Sequence, residues 1–203
     1  MNKTLLALLL AAATSLSGAQ TTGTQSNGTG VLAGLALSGT VSGALPARAR
    51  VGGFAIDSSG APVAELSSVP VNGGRFALEI PSVLPPQRAL SQLRADTIFW
   101  PGVLEPVSVT GQVSTAELRF YVYQDGNGNG RRDDTEMLQE AAPFVGKAVL
   151  FVSFASGAAQ VNAARGFQAN LKAGWNGLLI EVGRAVKVTS SSRITDVSLN
   201  VQR

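Results

Sequence analysis

Oxygen-bearing side chains are concentrated in one stretch of this chain, residues 125–136, which reads DGNGNGRRDDTE. Ca²⁺ is a hard cation that binds about six to eight oxygen atoms, and a twelve-residue loop supplies them from positions 1, 3, 5, 7, 9 and 12. These positions hold the following residues, with Arg131 contributing its backbone carbonyl: Asp125, Asn127, Asn129, Arg131, Asp133 and Glu136. Gly130 occupies position 6, where the chain must turn sharply. The stretch therefore predicts a calcium site.

The spacing of these residues matches the pattern D-x-[DN]-x-[DN]-G-x₅-E, so the loop resembles the EF-hand calcium loop. Its flanks differ from that family, because residues 118–124 (LRFYVYQ) are β-branched and aromatic and predict a strand in place of an entering helix. The chain also contains no second loop of this pattern. The loop is more similar to the calcium loops that lie between strands in the B-type repeats of bacterial surface adhesins. This resemblance implies structural calcium.

A turn without any metal is the alternative interpretation of the same residues. Asn, Asp and Gly tolerate left-handed backbone conformations and form side-chain turns on their own. Asp133 and Glu136 also have the spacing of a helix N-cap and its third residue, which predicts a short helix over residues 135–141. Because only three of the ligating side chains are carboxylates and Arg131 and Arg132 add positive charge, we expect a calcium dissociation constant of roughly 10⁻⁴ to 10⁻³ M.

The N-terminus predicts export from the cytoplasm. A positive start at residues 1–3, an apolar run at residues 5–13 and small residues at 17–19 are typical of a secretory signal peptide, here residues 1–19. Residues 20–30 (QTTGTQSNGTG) have nothing to bury and predict a disordered linker. No later apolar run is long enough to span a membrane, so we expect a secreted or periplasmic protein without a transmembrane segment.

The residue types that the chain lacks argue against most chemistry. It contains no histidine and no cysteine, which removes disulfides, thiolate metal sites, histidine-bound zinc and the Ser-His and Cys-His pairs of nucleophilic catalysis. We therefore expect a protein that is not an enzyme. The net charge is +3, but only 14% of residues are charged and the arginines are scattered. Nucleic-acid binding requires a denser basic face, so we expect no nucleic-acid partner.

Residues 31–203 predict one all-β domain, an antiparallel β-sandwich of the immunoglobulin or transthyretin type with at most short helical turns. The reason is that short apolar runs alternate with turn signals and no long helical period appears. The nearly continuous apolar run at residues 147–154 (KAVLFVSF) predicts a buried central strand. Hairpins are predicted around residues 72–74 and 172–177. A division into two small sandwiches near residues 81–90, which contain three prolines, is the alternative.

The N-terminal half of that domain carries a second resemblance. Its segments GTVSG, VGGFAIDSSGAPV and VNGGRFALEIP extend over about fifty residues. They are similar in spacing and turn chemistry to the opening strands of transthyretin-like and carboxypeptidase-regulatory-like domains. The resemblance implies a sandwich fold and does not specify an activity.

Taken together, these features predict an exported, calcium-stabilised β-sandwich that acts as a structural or adhesion-type binding module of the cell envelope. Its partner would be a protein or a polysaccharide of the envelope; the sequence does not indicate the oligomeric state. The alternative is a carbohydrate-binding module in which exposed aromatic rings stack on sugars. The candidate rings, which could equally be packing residues, are Trp100, Trp175, Tyr121 and Tyr123.

Overall fold

The computed structural model describes residues 32–201, so the predicted signal peptide (1–19) and linker (20–30) lie outside the described residues. Three 3₁₀ turns lie at Gln87–Ala89, Ala95–Thr97 and Ala164–Gly166. The strands are β1 (Leu35–Ser42), β2 (Ala49–Ile56), β3 (Pro62–Pro70), β4 (Arg75–Ile80), β5 (Ser91–Gln92), β6 (Ser108–Thr110), β7 (Ser114–Gln124), β8 (Gln139–Val145), β9 (Ala148–Ala155), β10 (Ala159–Asn162), β11 (Gln168–Leu171), β12 (Gly174–Val182), β13 (Val186–Ser191) and β14 (Arg193–Val201). The predicted all-β fold is confirmed. No helix among the described residues has the length and apolar character needed to cross a membrane.

Eleven strands of the described residues belong to one sheet. Its order is β13-β12-β9-β7-β8-β14-β1-β4, while β2 and β5 pair with β7 and β3 pairs with β2. A second sheet has the order β11-β10-β6. The pairings are antiparallel with one difference from the prediction, since β1 and β14 run parallel. This parallel pair joins the first and last strands of the described residues within one sheet.

The described residues form two large hydrophobic cores and a small third cluster of Phe54, Tyr121 and Tyr123. The first is enclosed mainly by β1, β2, β4, β7 and β14, and the second lies between β12, β13 and the small sheet. β9 contributes to both, because Leu150, Val152 and Phe154 face the first core while Phe151 and Ala155 face the second. Burial on both faces explains the continuous apolar run of this strand and confirms that it is central.

The proline-containing segment at residues 81–90 contains no strand and no boundary between the two cores. Residues from both sides of it pack in the first core, for example Leu78 before it and Leu118 after it. The crowded prolines exclude ladder hydrogen bonds there, so the chain crosses from β4 to β5 without pairing.

Both predicted hairpins were wrong about which strands pair. Asn72 and Arg75 exchange backbone hydrogen bonds of 3.0 Å across the expected turn, yet β3 pairs with β2 and β4 pairs with β1. Likewise β11 pairs with β10, whereas β12 pairs with β9 and β13. A turn motif directs the chain locally, but the burial of one face of each strand decides its partner.

The parallel ladder between β1 and β14 contains a bulge at which glycine is required. Leu37 lies opposite Ile194, whereas Gly39 lies opposite Val197, so β14 carries one extra residue. Asp196, within that bulge, has a left-handed backbone with φ of 59°. The two backbones approach so closely that a Cβ on Gly39 would lie 1.8 Å from the Val197 carbonyl oxygen. Because that neighbour is backbone, no side-chain rotation relieves the clash.

We therefore expect Gly39→Ala to open the ladder between β1 and β14. The free energy of unfolding should fall by about 3 kcal/mol and the melting midpoint by roughly 6–12 °C. The measurement is a thermal melt followed by circular dichroism. Ser38→Ala, on the half-buried neighbouring residue, is the control and should shift the midpoint by less than about 2 °C. Equal midpoints for the two variants would contradict this account of the bulge.

Candidate metal centre

The predicted calcium loop lies between β7 and β8 and contains no regular helix. The predicted strand over residues 118–124 is confirmed as the end of β7. The predicted helix over residues 135–141 is wrong, because a single turn closed by the Glu136 amide and the Asp133 carbonyl (2.9 Å) leads directly into β8. β8 pairs with β7, β9 and β14, and it contains Pro143, which would break a helix. Ladder pairing therefore prevails over the local N-cap signal.

Asp125 is the centre of the loop. It follows the last residue of β7 and is only 5% exposed. Its carboxylate accepts hydrogen bonds from the backbone amides of Gly128 (2.7 Å) and Gly130 (3.0 Å). Both glycines have positive φ, 76° and 79°, the conformation that lets the chain curl around a side chain without a Cβ penalty. One buried carboxylate thus organises the first half of the loop.

The two asparagines connect the halves of the loop. The side-chain oxygen of Asn127 accepts from the Asn129 amide (3.0 Å), and that of Asn129 accepts from the Arg131 amide (2.8 Å). Their side-chain nitrogens donate to the same oxygen of Asp133, at 2.6 Å and 3.0 Å respectively. Asp133 therefore lies across the loop from both asparagines, as its predicted role requires.

Glu136 closes the loop from the far side. Its Oε1 accepts from the Gly126 amide (2.7 Å), and its Oε2 accepts from the Asp133 amide (2.9 Å). Five of the six predicted positions are thus connected by hydrogen bonds to one another, with Arg131 held through its backbone amide. Asp125 is bonded to the loop through Gly128 and Gly130 instead. In this conformation the oxygens of the acids receive N–H groups of the loop itself.

The donor set fits calcium chemically, since every predicted ligand atom is an oxygen of a carboxylate, amide or backbone carbonyl. Among residues 32–201 no group of three or more His, Cys, Asp or Glu side chains lies close enough to hold a metal ion. Half of the predicted shell, however, comes from Asn127, Asn129 and the Arg131 carbonyl, which are not residues of those types. The fit therefore rests on mixed oxygen donors and not on a dense acid cluster.

A polar network of residues on β2 and β3, which the sequence did not reveal, stabilises the loop. Arg50 on β2 donates from Nη2 to the Ser68 carbonyl on β3 (3.0 Å), and Ser68 Oγ donates to the Gly130 carbonyl (3.0 Å). Nη1 of Arg50 lies 3.8 Å from the Asp125 carboxylate, with both side chains largely buried. A protein cation thus already partly neutralises the central acid of the loop.

Tyr123 and Glu65 extend this network. The Tyr123 hydroxyl donates to Glu65 Oε1 (2.7 Å), and Glu65 Oε2 accepts from the Arg132 amide (3.0 Å). Burial is the main cause that raises the pKa of Tyr123 to about 12; Glu65 adds to this effect and Ser68 opposes it. Fully buried side-chain nitrogens and oxygens in the described part of the chain all have hydrogen-bond partners.

These partners lie far from the loop in sequence, which is why sequence reasoning missed them. Arg50 meets Tyr123 only because β2 pairs with β7 in that register. The sequence does contain one indication of this network, because the alternation of residues along β7 places Tyr121 and Tyr123 on the same face of the strand. This alternation predicts that the two rings share an environment, but it does not predict their polar partners.

The predicted sugar platform is not assembled from the four named aromatic residues. Trp175 is 2% exposed, packs edge-on against Phe154 and donates its indole N–H to the Val83 carbonyl (3.3 Å). Tyr121 and Tyr123 are also buried, and both rings meet Phe54 edge-on. Buried rings cannot stack on a ligand, so these three are packing residues. Trp100 alone of the four is partly exposed.

The raised pKa of Tyr123 predicts an alkaline loss of stability. The unfolded tyrosine loses its proton near pH 10 and the folded one near pH 12. Between these values the unfolded state binds fewer protons, so stability should fall as pH rises through this window. Tyr123→Phe should therefore be less stable than wild type at pH 8 and should decline less steeply from pH 10 to 12.

Melting midpoints measured from pH 8 to 12 test this expectation. Tyr121→Phe is the matched control, because burial also raises the pKa of Tyr121 but the hydroxyl bonded to Glu65 belongs to Tyr123. Parallel pH profiles for wild type and Tyr123→Phe would contradict the raised pKa of Tyr123.

Comparisons with known proteins give no relative for this fold or this loop. No protein-family model matches the chain, and no curated protein or solved structure matches it. The function of this all-β protein therefore has to be argued from its own residues.

Proposed function

We propose that this protein is an exported, calcium-stabilised β-sandwich that serves as a structural or adhesion-type binding module of the cell envelope. The observation that supports the proposal most is the hydrogen bonding within the loop. Asp125 accepts two of its backbone amides, and both asparagines donate to one oxygen of Asp133. Its partner is a protein or a polysaccharide of the envelope, reached through the secretory route that the N-terminal residues predict.

The loop suits a calcium ion of modest affinity. A bound Ca²⁺ would supply two positive charges that several oxygens of the loop share. The side-chain nitrogens of Asn127 and Asn129 donate to Asp133. Calcium binding therefore requires both side-chain amides to rotate so that their oxygens face the ion. The two asparagines would then exchange their bonds to the backbone for bonds to the ion. This exchange, together with the charge of Arg50 beside Asp125, limits the net gain.

Structural reinforcement is the role that the position of the loop supports. The loop connects β7 to β8 and is tied to β2 and β3 through Arg50, Ser68 and Glu65. An ion bound in the loop would therefore stabilise one end of four strands of the main sheet, namely β2, β3, β7 and β8. A protein without cysteine has no disulfides for this purpose, and ion binding to the native state alone stabilises it by mass action.

A non-catalytic role agrees with the chemistry available. The chain has no histidine to act as a general base near neutral pH. The acids of the loop are engaged by its own amides, and a bound ion would occupy them further. Scattered arginines do not form the basic face that nucleic acid requires. A binding or structural module is the class that remains.

Calcium should raise the melting midpoint of the purified protein. With a dissociation constant of 10⁻⁴ to 10⁻³ M, 10 mM Ca²⁺ should add about 1.4–2.7 kcal/mol to the stability, a shift of roughly 3–10 °C relative to excess chelator. Asp125→Asn should abolish the shift, because the central carboxylate is removed. Mg²⁺ at the same concentration should give a smaller shift, since it needs a tighter octahedral shell.

Asp134→Asn is the matched control within the same loop. Asp134 is not at a ligand position, and its side chain is fully exposed, so the calcium shift should persist. The shift itself is the readout, because Asp125 also accepts backbone bonds and its loss lowers the midpoint without calcium. Coincident melting curves for wild type in calcium and in chelator would contradict the proposed calcium site and would mean that the loop is a turn without a metal.

Arg50 should weaken calcium binding through charge repulsion. Its guanidinium lies 3.8 Å from the Asp125 carboxylate in a site that is mostly shielded from water. Removing this charge in Arg50→Gln should tighten the calcium dissociation constant by about tenfold, which corresponds to roughly 1.4 kcal/mol. Calorimetric titration measures it, with the remote Arg184→Gln as control. An unchanged constant in Arg50→Gln would mean that Arg50 does not face the ion.

A further inference from the structure

A cleft of about 550 Å³ opens on the outer face of β7, away from the calcium loop. Its walls come from the turn between β2 and β3, the first half of β7, β9 and residues 89–100. This volume is within the range of ordinary small-ligand sites. Neither the fold nor the calcium loop accounts for the side chains that line it.

One wall is aromatic and open to water. Phe99 is 91% exposed, which is unusual for a large apolar ring. Its neighbour Trp100 is partly exposed and leans against Phe151, with ring centroids 5.2 Å apart at 39°. Contact with Phe151 therefore restricts the orientation of the Trp100 ring. The two residues Phe99 and Trp100 supply the exposed ring faces that the buried Trp175 and tyrosines do not.

Another part of the lining is polar and charged. Glu117 and Arg119 project from β7 as an ion pair, with 2.7 Å between Oε1 and Nε. Asp57, on the turn after β2, accepts a hydrogen bond of 2.6 Å from the Ser59 hydroxyl, which is the main cause that lowers its pKa. The carboxylates supply acceptors and the guanidinium supplies donors along one side of the cleft.

We propose that this cleft binds a neutral saccharide. Sugar rings present an apolar face that stacks on aromatic rings, and their hydroxyls both donate and accept hydrogen bonds. Phe99 and Trp100 match the first property, and Asp57, Glu117 and Arg119 match the second. Two carboxylates and one guanidinium give the charged lining a net charge of −1, which disfavours polyanions.

An apolar peptide side chain fits this cleft less well. Placing it against the Glu117–Arg119 pair would remove water from both charges and return no hydrogen bond, which is costly. Saccharide hydroxyls replace the displaced water at the same atoms. The mixed lining therefore favours a hydroxyl-rich ligand over a hydrophobic one.

The inference rests on the proposed binding-module role and gives the partner a chemical class. It does not depend on calcium binding, because Glu117 and Arg119 lie on β7 ahead of the loop and make no hydrogen bond to it. Loss of the calcium shift and loss of saccharide binding are thus separate results. Measuring binding with calcium and with chelator distinguishes them.

Affinity electrophoresis of the purified protein tests the proposal. Gels contain neutral polysaccharides (a glucan, a mannan, a galactan and a chitin derivative) or an anionic polysaccharide, and oligosaccharides of any retarding polymer are then titrated against tryptophan fluorescence. At least one neutral polymer should retard the wild type, and the anionic one should not. Phe99→Ala and Trp100→Ala should each weaken binding by about tenfold or more, which corresponds to the loss of one stacked ring.

Leu84→Ala is the matched control, since Leu84 is 65% exposed and lies outside the cleft; its binding should equal that of wild type. Phe99→Ala removes an almost fully exposed ring, so its melting midpoint should be unchanged and lost binding is not misfolding. Trp100→Phe should retain most of the affinity.

Three results would overturn the proposal. The first is that no neutral polymer retards the protein. The second is that retardation survives in the double variant Phe99→Ala, Trp100→Ala. The third is that the protein binds immobilised apolar peptides through Phe99 and binds no saccharide, which would identify a peptide site.

Discussion

The period-two alternation of β7 is the constraint on which the rest of this protein depends. Its even-numbered residues, among them Leu118, Phe120 and Val122, pack in the first core, so the strand cannot shift by one residue without exposing them. The odd-numbered residues are thereby fixed on the outer face. Glu117 and Arg119 face the cleft, while Tyr123 faces the network beneath the calcium loop. A single strand therefore sets the position of both proposed sites.

The predicted calcium loop is stabilised electrostatically by the protein itself. Asp125 is buried, yet it receives two backbone amides and lies beside the Arg50 guanidinium. A buried carboxylate without such partners would be costly. The same partners that make the loop stable alone also compete with a cation for the carboxylate. This competition is the physical reason to expect millimolar-range affinity and a reinforcing role, because a sensor needs a loop that is unsatisfied without its ion.

The sequence predicted the features that local patterns encode. Strand β9 followed from its continuous apolar run, and the end of β7 from its β-branched and aromatic residues. The predicted helix over residues 135–141 was wrong because β8 pairs with other strands, which a local N-cap pattern cannot reveal. The hairpins failed because partner choice depends on distant strands. Arg50, Glu65 and Ser68 could not be predicted as supports of the loop, since only strand register brings them to it. Register is a property of the whole sheet.

The aromatic residues show the same limit and also lead to the proposed ligand. Tryptophan content alone cannot distinguish Trp175, which is held between layers, from Trp100, which lies at a cleft mouth. The distinction comes from position: Trp175 lies in β12 with strands on both sides, whereas Phe99 and Trp100 lie in a connection without strand structure. Connections are free of ladder pairing, so their side chains are available for binding while the strands fix the polar part of the lining. A cleft lined by both a strand with charged side chains and an aromatic connection suits a ligand that has both an apolar face and hydroxyl groups.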